Sequence, residues 1–146
     1  MAVTGASTSV ASLAPRLRVA VTRLNRRLRS SALGGISPAQ ASALAMIERL
    51  GSPALNTLAA AEQVRPPSMT RIVDALEADR LVERRVDESD RRSSRVSLTA
   101  AGRRELTTIR SRKTAFLEQR LGALSETDRV AVARVLDILE RLAEEQ

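Results

Sequence analysis

The chain has 146 residues, of which 43% are hydrophobic, and a net charge of +7, which is the size and composition of one globular domain or one subunit of a small oligomer. It contains no cysteine and no histidine, which excludes disulfides, thiolate metal sites and histidine-based catalysis, so we predict no catalytic residue, no metal and no cofactor. No segment approaches the roughly 18 apolar residues of a membrane helix, and residues 1–12 lack the features of a signal peptide, so we expect a cytoplasmic protein with no membrane partner.

The first predicted helix begins at Leu13. Residues 1–12 are rich in Ser, Thr, Ala and Gly, which predicts a disordered arm. The apolar residues that follow recur at the spacing of a long amphipathic helix, and they are Leu13, Leu17, Val21, Leu24 and Leu28. Gly34 and Gly35 are expected to end this helix.

Three shorter helices are predicted next. Ser37, Pro38 and Gln40 combine an N-cap serine, a proline at the first helical position and a capping-box glutamine, so the second helix begins just after Ser37. A Gly-Ser-Pro sequence at residues 51–53 breaks the chain. Two short helices follow, over residues 56–62 and 67–78, with only a few residues between them.

The second of these short helices has one apolar face. That face consists of Met69, Ile72, Val73 and Leu76. The polar residues Ser68, Thr70 and Arg71 lie outside it, near the helix N-terminus. Such a helix buries one side and offers these three side chains to a partner.

A β-hairpin is predicted after the short helices. Residues 81–86 and 95–98 have the character of two short strands, and residues 87–92 form a charged tip between them. Residues 80–113 contain eleven basic and five acidic residues, and clustered bases favour DNA because neutralised phosphates release counterions. A basic run is also typical of a merely solvated face, and charge alone does not separate the two interpretations.

Two long helices complete the chain. Thr99 is the predicted cap of the first, which ends near residues 121–122, and Ser125 starts the second. The apolar stripe of the last helix is formed by Val132, Val135, Leu139 and Leu142. The stripes of the first and last helices can pack against each other or against a second subunit. A dimer is favoured, because a two-fold axis would also place two short helices on one face of DNA.

Short helix, turn, second helix and hairpin, in this order, make a winged helix-turn-helix, and residues 13–142 resemble the MarR family of bacterial regulators. The residues that match the wing signature of that family are Asp90, Arg92, Arg95, Leu98, Thr99 and Gly102. A second matching block covers residues 67–77 and 81–84. The resemblance implies a mainly α fold with a small β-hairpin wing. Residues 36–98 would form the DNA-binding domain, and residues 13–35 and 99–146 a helical dimerisation region.

The resemblance also assigns residues to double-stranded DNA. Arg92 would enter the narrow, electronegative minor groove, with Asp90 holding its guanidinium group extended. Arg71 would read guanine in the major groove, whereas Ser68 and Thr70 either read bases or serve as caps and phosphate contacts. The full set is Arg65, Pro67, Ser68, Thr70 and Arg71 in the recognition helix and Asp90, Arg91, Arg92 and Arg95 in the wing.

Two positions depart from the family pattern. Arg65 stands where the family often has a small capping residue, and it could supply a phosphate contact instead. Arg80 stands where the family usually has glycine, so the turn there either bears strain or takes another conformation.

By resemblance, the protein is a homodimeric transcriptional repressor that binds a pseudo-palindromic operator. The expected dimer contacts are Leu13, Leu17, Val132, Val135, Leu139 and Leu142. A small phenolic or lipophilic anion would bind between the dimerisation helices and the winged domain and release DNA. Because Phe116 is the only aromatic residue, its pocket would be aliphatic, with arginine as the anion partner. The alternative is an architectural protein that binds nucleoid DNA without sequence preference and without a ligand.

Overall fold

The computed structural model describes residues 9–144, which form six helices and one two-stranded sheet. The elements are α1 (Val10–Ala32), α2 (Pro38–Leu50), α3 (Leu55–Ala61), α4 (Pro66–Ala78), β1 (Val82–Val86), β2 (Ser94–Leu98), α5 (Ala100–Gly122) and α6 (Glu126–Ala143). Their order and type confirm the predicted fold class of a mainly helical chain with a hairpin. We call residues 36–98 the winged unit. None of the helices within residues 9–144 has the length and apolarity needed to cross a membrane.

Helix α1 begins earlier than the apolar pattern indicated. The hydroxyl of Ser9 accepts a hydrogen bond from the backbone amide of Ser12 at 3.3 Å, so Ser9 caps the helix. Residues 10–12 were predicted to be the end of a disordered arm, but they form the first turn of α1. The prediction was wrong because the apolar stripe begins one turn after the serine cap. The remainder of that predicted arm, residues 1–8, lies outside the described residues.

The start of α2 follows the predicted capping pattern. The Gln40 amide donates to the Ser37 hydroxyl at 3.1 Å, and the Ser37 amide donates to Gln40 Oε1 at 2.7 Å. Pro38 occupies the first turn, where its missing N–H leaves no helical hydrogen bond unmade. The capping box is therefore confirmed, and it fixes where the winged unit begins.

The core of the winged unit lies between α2, α3, α4 and the hairpin. Its largest fully buried side chains are Leu44, Ile47, Leu58, Met69, Leu76, Val73 and Val96. Three of them come from the predicted apolar face of α4, whereas the fourth member of that face, Ile72, is only half-buried. Fully burying an aliphatic side chain of this size contributes roughly 1.5–3 kcal/mol, so these contacts hold α4 against the rest of the unit.

The hairpin is extended by a third segment. Strands β1 and β2 pair antiparallel, with Val82 opposite Leu98 and Val86 opposite Ser94. The Val96 amide donates to the carbonyl oxygen of Pro53 at 2.9 Å, and residue 54 forms a single bridge with residue 95. The chain just before α3 therefore lies along the middle of β2 and anchors the hairpin.

A close approach joins the turn after α4 to the start of α5. Arg80 has a φ of 59°, in the left-handed region that glycine adopts without strain. Two outcomes were predicted for this turn, and the structure has the strained backbone rather than another conformation. A Cβ atom at Gly102 would lie 2.0 Å from the carbonyl oxygen of Leu81. Glycine at residue 102 therefore allows the first turn of α5 to contact this backbone.

The two terminal helices leave apolar side chains uncovered. Helix α5 packs against α1 and buries Leu106 and Ile109, whereas α6 buries none of its residues within the described chain. Five of the six predicted dimer contacts are exposed in the single chain: Leu13, Leu17, Val135, Leu139 and Leu142. The sixth, Val132, is half-buried.

Candidate nucleic-acid interface

Helix α4 begins without a side-chain cap. Arg65 is the N-cap residue and makes no capping hydrogen bond. Pro66 and Pro67 have no N–H groups, so two of the four donors usually left unpaired at a helix start are missing. The amides of Ser68 and Met69 donate to the Arg65 carbonyl oxygen at 2.9 and 3.1 Å. The helix therefore starts without help from the Arg65 side chain, which is exposed.

Three predicted DNA-binding residues follow in the first turns of α4. Ser68 and Arg71 are exposed, whereas Thr70 is half-buried. The Thr70 hydroxyl donates to the carbonyl oxygen of Pro66 at 3.0 Å and so is partly committed to its own helix. Within residues 9–144 Arg71 forms no ion pair. Arg71 is thus a free guanidinium group near the start of this helix.

An ionic cluster that the sequence analysis missed joins β1 to α4. The Arg84 guanidinium lies 2.6 Å from Asp74 and 3.1 Å from Glu77, and it donates to the Thr70 carbonyl oxygen at 3.4 Å. Its side chain is 25% exposed, against 75% for the neighbouring Arg85. Successive strand residues point to opposite faces of the hairpin. The sequence could therefore have indicated that Arg84 and Arg85 face different sides, one of them towards the protein. The single positive charge of Arg84 offsets one of the two negative charges on α4, and so reduces the repulsion that these acids would exert on a phosphate.

The wing tip differs from the prediction in what Asp90 contacts. We predicted that the carboxylate holds the Arg92 guanidinium group extended. Instead, Asp90 Oδ1 accepts a hydrogen bond from the Arg92 backbone amide at 3.0 Å, because a short side chain in a turn reaches the backbone two residues on. The Ser93 amide donates to the Asp90 carbonyl oxygen at 2.9 Å. Asp90 therefore shapes the turn that presents Arg92.

The guanidinium group of the predicted wing residue Arg95 is bound by other groups of the protein, although its side chain is 49% exposed. Its Nε lies 2.9 Å from Asp87 Oδ2, and its Nη1 donates to the Ser52 carbonyl oxygen at 3.0 Å. The Ser89 hydroxyl and amide donate to the other Asp87 oxygen at 2.6 and 2.9 Å. Hydrogen bonds from Ser89, and then the charge of Arg95, hold the pKa of the nearly buried Asp87 below its ordinary value of 3.8. This cluster, also missed from the sequence, holds the start of the tip against β2 and the segment before α3.

The remaining arginines of the tip are unpaired. Arg91 and Arg92 are exposed, and neither guanidinium group takes part in an ion pair in the part of the chain that the structure describes. They differ in this from Arg95 and Arg84, which are both held by carboxylates. The predicted wing residues thus divide into two that are free and two, Asp90 and Arg95, that organise the hairpin.

A separate cavity of about 220 Å³ lies where α1, α2 and α5 meet. Its apolar lining is aliphatic and includes Leu33, Ala41, Ala45, Leu106 and Ile109. The basic residues Arg29, Arg110 and Lys113 also line it, and no acidic residue does among those described. The cavity can therefore accommodate a small apolar molecule that carries negative charge.

An ion pair beside this cavity links the winged unit to α5. The Arg110 guanidinium contacts both carboxylate oxygens of Glu48 on α2. The hydrogen bond from Arg110 lowers the pKa of Glu48, and the same bond raises the pKa of Arg110. The Arg110 side chain is 58% exposed and the Glu48 side chain 40%. Exposed ion pairs of this kind add little stability.

The apolar residues of the terminal helices meet in one groove between α1 and α6. It is lined by five of the predicted dimer contacts, together with Ala20 and Ile138. The arginines Arg16 and Arg23 border it. A continuous apolar groove bordered by charged residues has the composition of an interface rather than of a solvated surface.

The helix pair α3–α4, the following hairpin and the flanking long helices define a winged helix-turn-helix protein. A model of the MarR family matches residues 36–94. An uncharacterized HTH-type transcriptional regulator of Mycobacterium bovis is 33% identical over 138 residues, which cover 94% of this chain and 96% of that protein. The HTH-type transcriptional repressor MdtR of Bacillus subtilis is 29% identical over 110 residues, covering 75% of this chain and 71% of MdtR.

A solved structure agrees with these sequence relatives. The crystal structure of a putative transcriptional regulator from Pseudomonas aeruginosa has a TM-score of 0.80 and 34% identity, and the match covers 96% of this chain and all of that one. The chain belongs to the MarR family of transcriptional regulators. It is accordingly a regulator and not an enzyme.

Proposed function

We propose that the protein is a homodimeric repressor that binds a pseudo-palindromic operator in double-stranded DNA. The two α4 helices enter successive major grooves, and the wings enter the flanking minor grooves. The half-sites lie about 10 bp apart, one helical turn of DNA. The repressor acts in the cytoplasm, on the nucleoid.

The observation that carries this proposal is the pairing of charges on the winged unit. Asp74, Glu77 and Asp87 are each held by an arginine of the hairpin. Arg84 is shared by Asp74 and Glu77, and Arg95 pairs with Asp87, so two of these three negative charges are balanced within the winged unit. Arg71 on α4 and the tip residues Arg91 and Arg92 are exposed and form no ion pair within residues 9–144. Free guanidinium groups on a helix and on a wing match the major-groove and minor-groove contacts of DNA.

Within this interface we propose different tasks for different residues. Arg71 reads guanine, Arg92 enters the minor groove, and Arg65, Ser68 and Arg91 contact phosphates. Pro67 and Thr70 shape the start of α4, and Asp90 and Arg95 hold the wing in position. The exposed state of the first group and the internal hydrogen bonds of the second support this division.

We propose the homodimer because an exposed apolar groove lies between α1 and α6. Its apolar side chains are exposed in one chain, and a two-fold partner would cover the same surface on both subunits. Residues 13–35 and 99–146 then form the dimerisation region. The relationship to MdtR, which is named a repressor, supports repression as the sign of regulation.

An anionic effector is proposed for the cavity between α1, α2 and α5. The cavity lies between the helical region and the winged unit, and its lining is aliphatic and basic, as a lipophilic anion requires. Such a ligand can release DNA only if it binds the released conformation more tightly than the DNA-bound one.

The test is enrichment of genomic fragments on the purified protein, followed by footprinting at several salt concentrations. A protected palindrome with an operator affinity at least about 10³-fold above that for random DNA is expected for a specific regulator. An architectural protein would give a ratio near one with uniform protection, because counterion release does not depend on sequence. That second outcome would reject the repressor proposal.

A substitution separates base reading from phosphate contact in the same assay. Arg71→Ala should reduce affinity for the operator but leave affinity for random DNA nearly unchanged, a loss of roughly 1–3 kcal/mol of discrimination. Arg65→Ala is the matched variant at the same end of α4. It should lower both affinities together, as expected for a phosphate contact.

A further inference from the structure

Arg110 is adjacent to two positions at which a negative charge can lie, the Glu48 carboxylate and the cavity between α1, α2 and α5. Its guanidinium group contacts both oxygens of Glu48, with Nη1 3.4 Å from Oε1, and its side chain also lines the cavity between α1, α2 and α5. The lining contributed by α2 ends at Ala45, and Glu48 lies one turn further along and outside the cavity. One guanidinium group is therefore accessible to a carboxylate outside the cavity and to an anion inside it.

The three bases of the cavity are not equivalent. Arg110 is held in an ion pair with a carboxylate, whereas Arg29 and Lys113 have no such pair within residues 9–144. No acidic residue lines the cavity among those described, so an anion that enters meets positive charge from three bases and aliphatic carbon from the apolar lining. A small monocarboxylate with a compact apolar body fits this combination.

We propose that Arg110 is the carboxylate-binding residue of the cavity and that a ligand binds by taking Arg110 from Glu48. This rests on the proposed effector function and identifies how the effector is recognised. Glu48 is an internal competitor that weakens ligand binding until the ion pair opens. Because the pair is exposed and contributes little stability, a carboxylate in the less exposed cavity can displace it.

The exchange would also connect the cavity to the winged unit. Glu48 belongs to α2, within the winged unit, and Arg110 belongs to α5, so their ion pair is a side-chain link between the two parts of the molecule. A ligand that takes Arg110 from Glu48 binds the protein with the ion pair open and not the protein with the ion pair formed. That difference is what an effector needs to alter DNA affinity.

The test measures binding of benzoate to the full-length protein by calorimetry, with benzamide as the uncharged analogue. Glu48→Gln should bind benzoate at least about 3-fold more tightly than the wild type, and Arg110→Gln at least about 10-fold more weakly. Glu118→Gln removes the same charge from the same face of α5, two turns from Arg110, where the carboxylate neither pairs with Arg110 nor lines the cavity, and it should behave as the wild type. Benzamide should not distinguish the four proteins. A thermal melt of each variant establishes that it is folded.

A second readout is the ratio of operator dissociation constants with and without benzoate. This ratio should be at least about 5 for the wild type and should fall towards one in Glu48→Gln, where no ion pair remains to be opened. Equal benzoate affinities in the wild type and Glu48→Gln, no loss in Arg110→Gln, or no benzoate binding by the wild type would overturn the inference. Operator binding without benzoate tests the proposed function separately, since the benzoate pattern can hold in a protein that binds no operator.

Discussion

The hydroxyl of Thr99 donates a hydrogen bond of 2.7 Å to the carbonyl oxygen of Arg80, the residue with a left-handed backbone. The same hydroxyl accepts the amide of Gly102 at 3.0 Å. One side chain therefore caps α5 and binds the turn that follows α4. Helix α4, the hairpin and the long helix α5 are joined at this point.

Arg80→Gly should stabilise the protein. A left-handed conformation costs an L-residue roughly 1–2 kcal/mol, and part of this gain is offset because glycine loses more backbone entropy on folding. The expected net increase in the free energy of unfolding is about 0.5–1 kcal/mol, measured by urea denaturation. Arg104→Gly, in the exposed interior of α5, should instead lower stability by about 1 kcal/mol. A loss of stability in Arg80→Gly would contradict the assignment of strain to this turn.

Gly102→Ala should destabilise the protein by about 1–3 kcal/mol, because the new methyl group would overlap the Leu81 carbonyl oxygen and force the backbones apart. Gly122→Ala is the matched change at the last residue of α5, where a Cβ meets nothing within 4 Å, and it should be neutral or slightly stabilising. Urea denaturation of both variants distinguishes a packing requirement from a general effect of glycine in α5. Equal effects of the two substitutions would contradict the close approach at residue 102.

The Asp87 cluster predicts a dependence of stability on pH. A carboxyl group whose folded-state pKa is lowered contributes stability that is present above its unfolded value of 3.8 and is lost as pH falls through the folded-state pKa. Asp87→Asn should therefore be less stable than the wild type near neutral pH, and the difference should shrink as pH falls below 3.8. Paired melts across this range measure it. A difference that is constant with pH would show that the loss comes from packing alone.

The dimer surface is tested with Leu139→Glu. A charge in the apolar groove between α1 and α6 cannot be buried against a second subunit without a large desolvation cost, so the variant should be monomeric by light scattering. Leu50→Glu alters a side chain of similar exposure at the end of α2 and should remain dimeric. A dimeric Leu139→Glu protein, or a monomeric wild type, would reject this surface as the interface.

The elements of this fold were predictable because their signals are local. The capping box at Ser37, the threonine cap at residue 99 and the apolar spacing of Met69 and Val73 each depend on residues within one or two turns. Caps and periodicity depend on neighbouring residues, so a single sequence contains them. The turn at Arg80 is indicated instead by the resemblance to the family, which usually has glycine there, and the sequence is compatible with either of two conformations.

The ionic clusters were missed because each pairing depends on how separate elements meet in the fold, even where the partners are only 7 to 10 residues apart, as in the pairs of Arg84 and Arg95 with acids. Arg95 contacts a carbonyl oxygen 43 residues away, and Arg110 pairs with a carboxylate 62 residues away. In an arginine-rich chain many such pairings are electrostatically equivalent until the fold brings two groups together. In the sequence analysis Arg95 is accordingly assigned to DNA along with its neighbours, whereas its guanidinium group is held by Asp87 at the start of the tip.

The last prediction concerns the exposed arginine at the wing tip. Arg92→Ala should weaken operator binding at least tenfold, or about 1.4 kcal/mol, because a guanidinium group in the narrow minor groove interacts with both phosphate strands. Arg85→Ala removes the same charge from the same hairpin, but Arg85 lies on β1 and pairs with Glu83 at 2.9 Å, so a smaller loss is expected.

Salt dependence then separates groove insertion from general attraction. Loss of one phosphate contact should reduce the slope of log affinity against log salt by about 1 in Arg92→Ala. Arg85→Ala should leave that slope nearly unchanged. If the tip is only solvated, the two variants will bind the operator equally, with the same slope. A greater effect of Arg92→Ala would place the contact at the end of the turn that Asp90 shapes, where Arg92 is unpaired and its backbone amide is held by the Asp90 carboxylate.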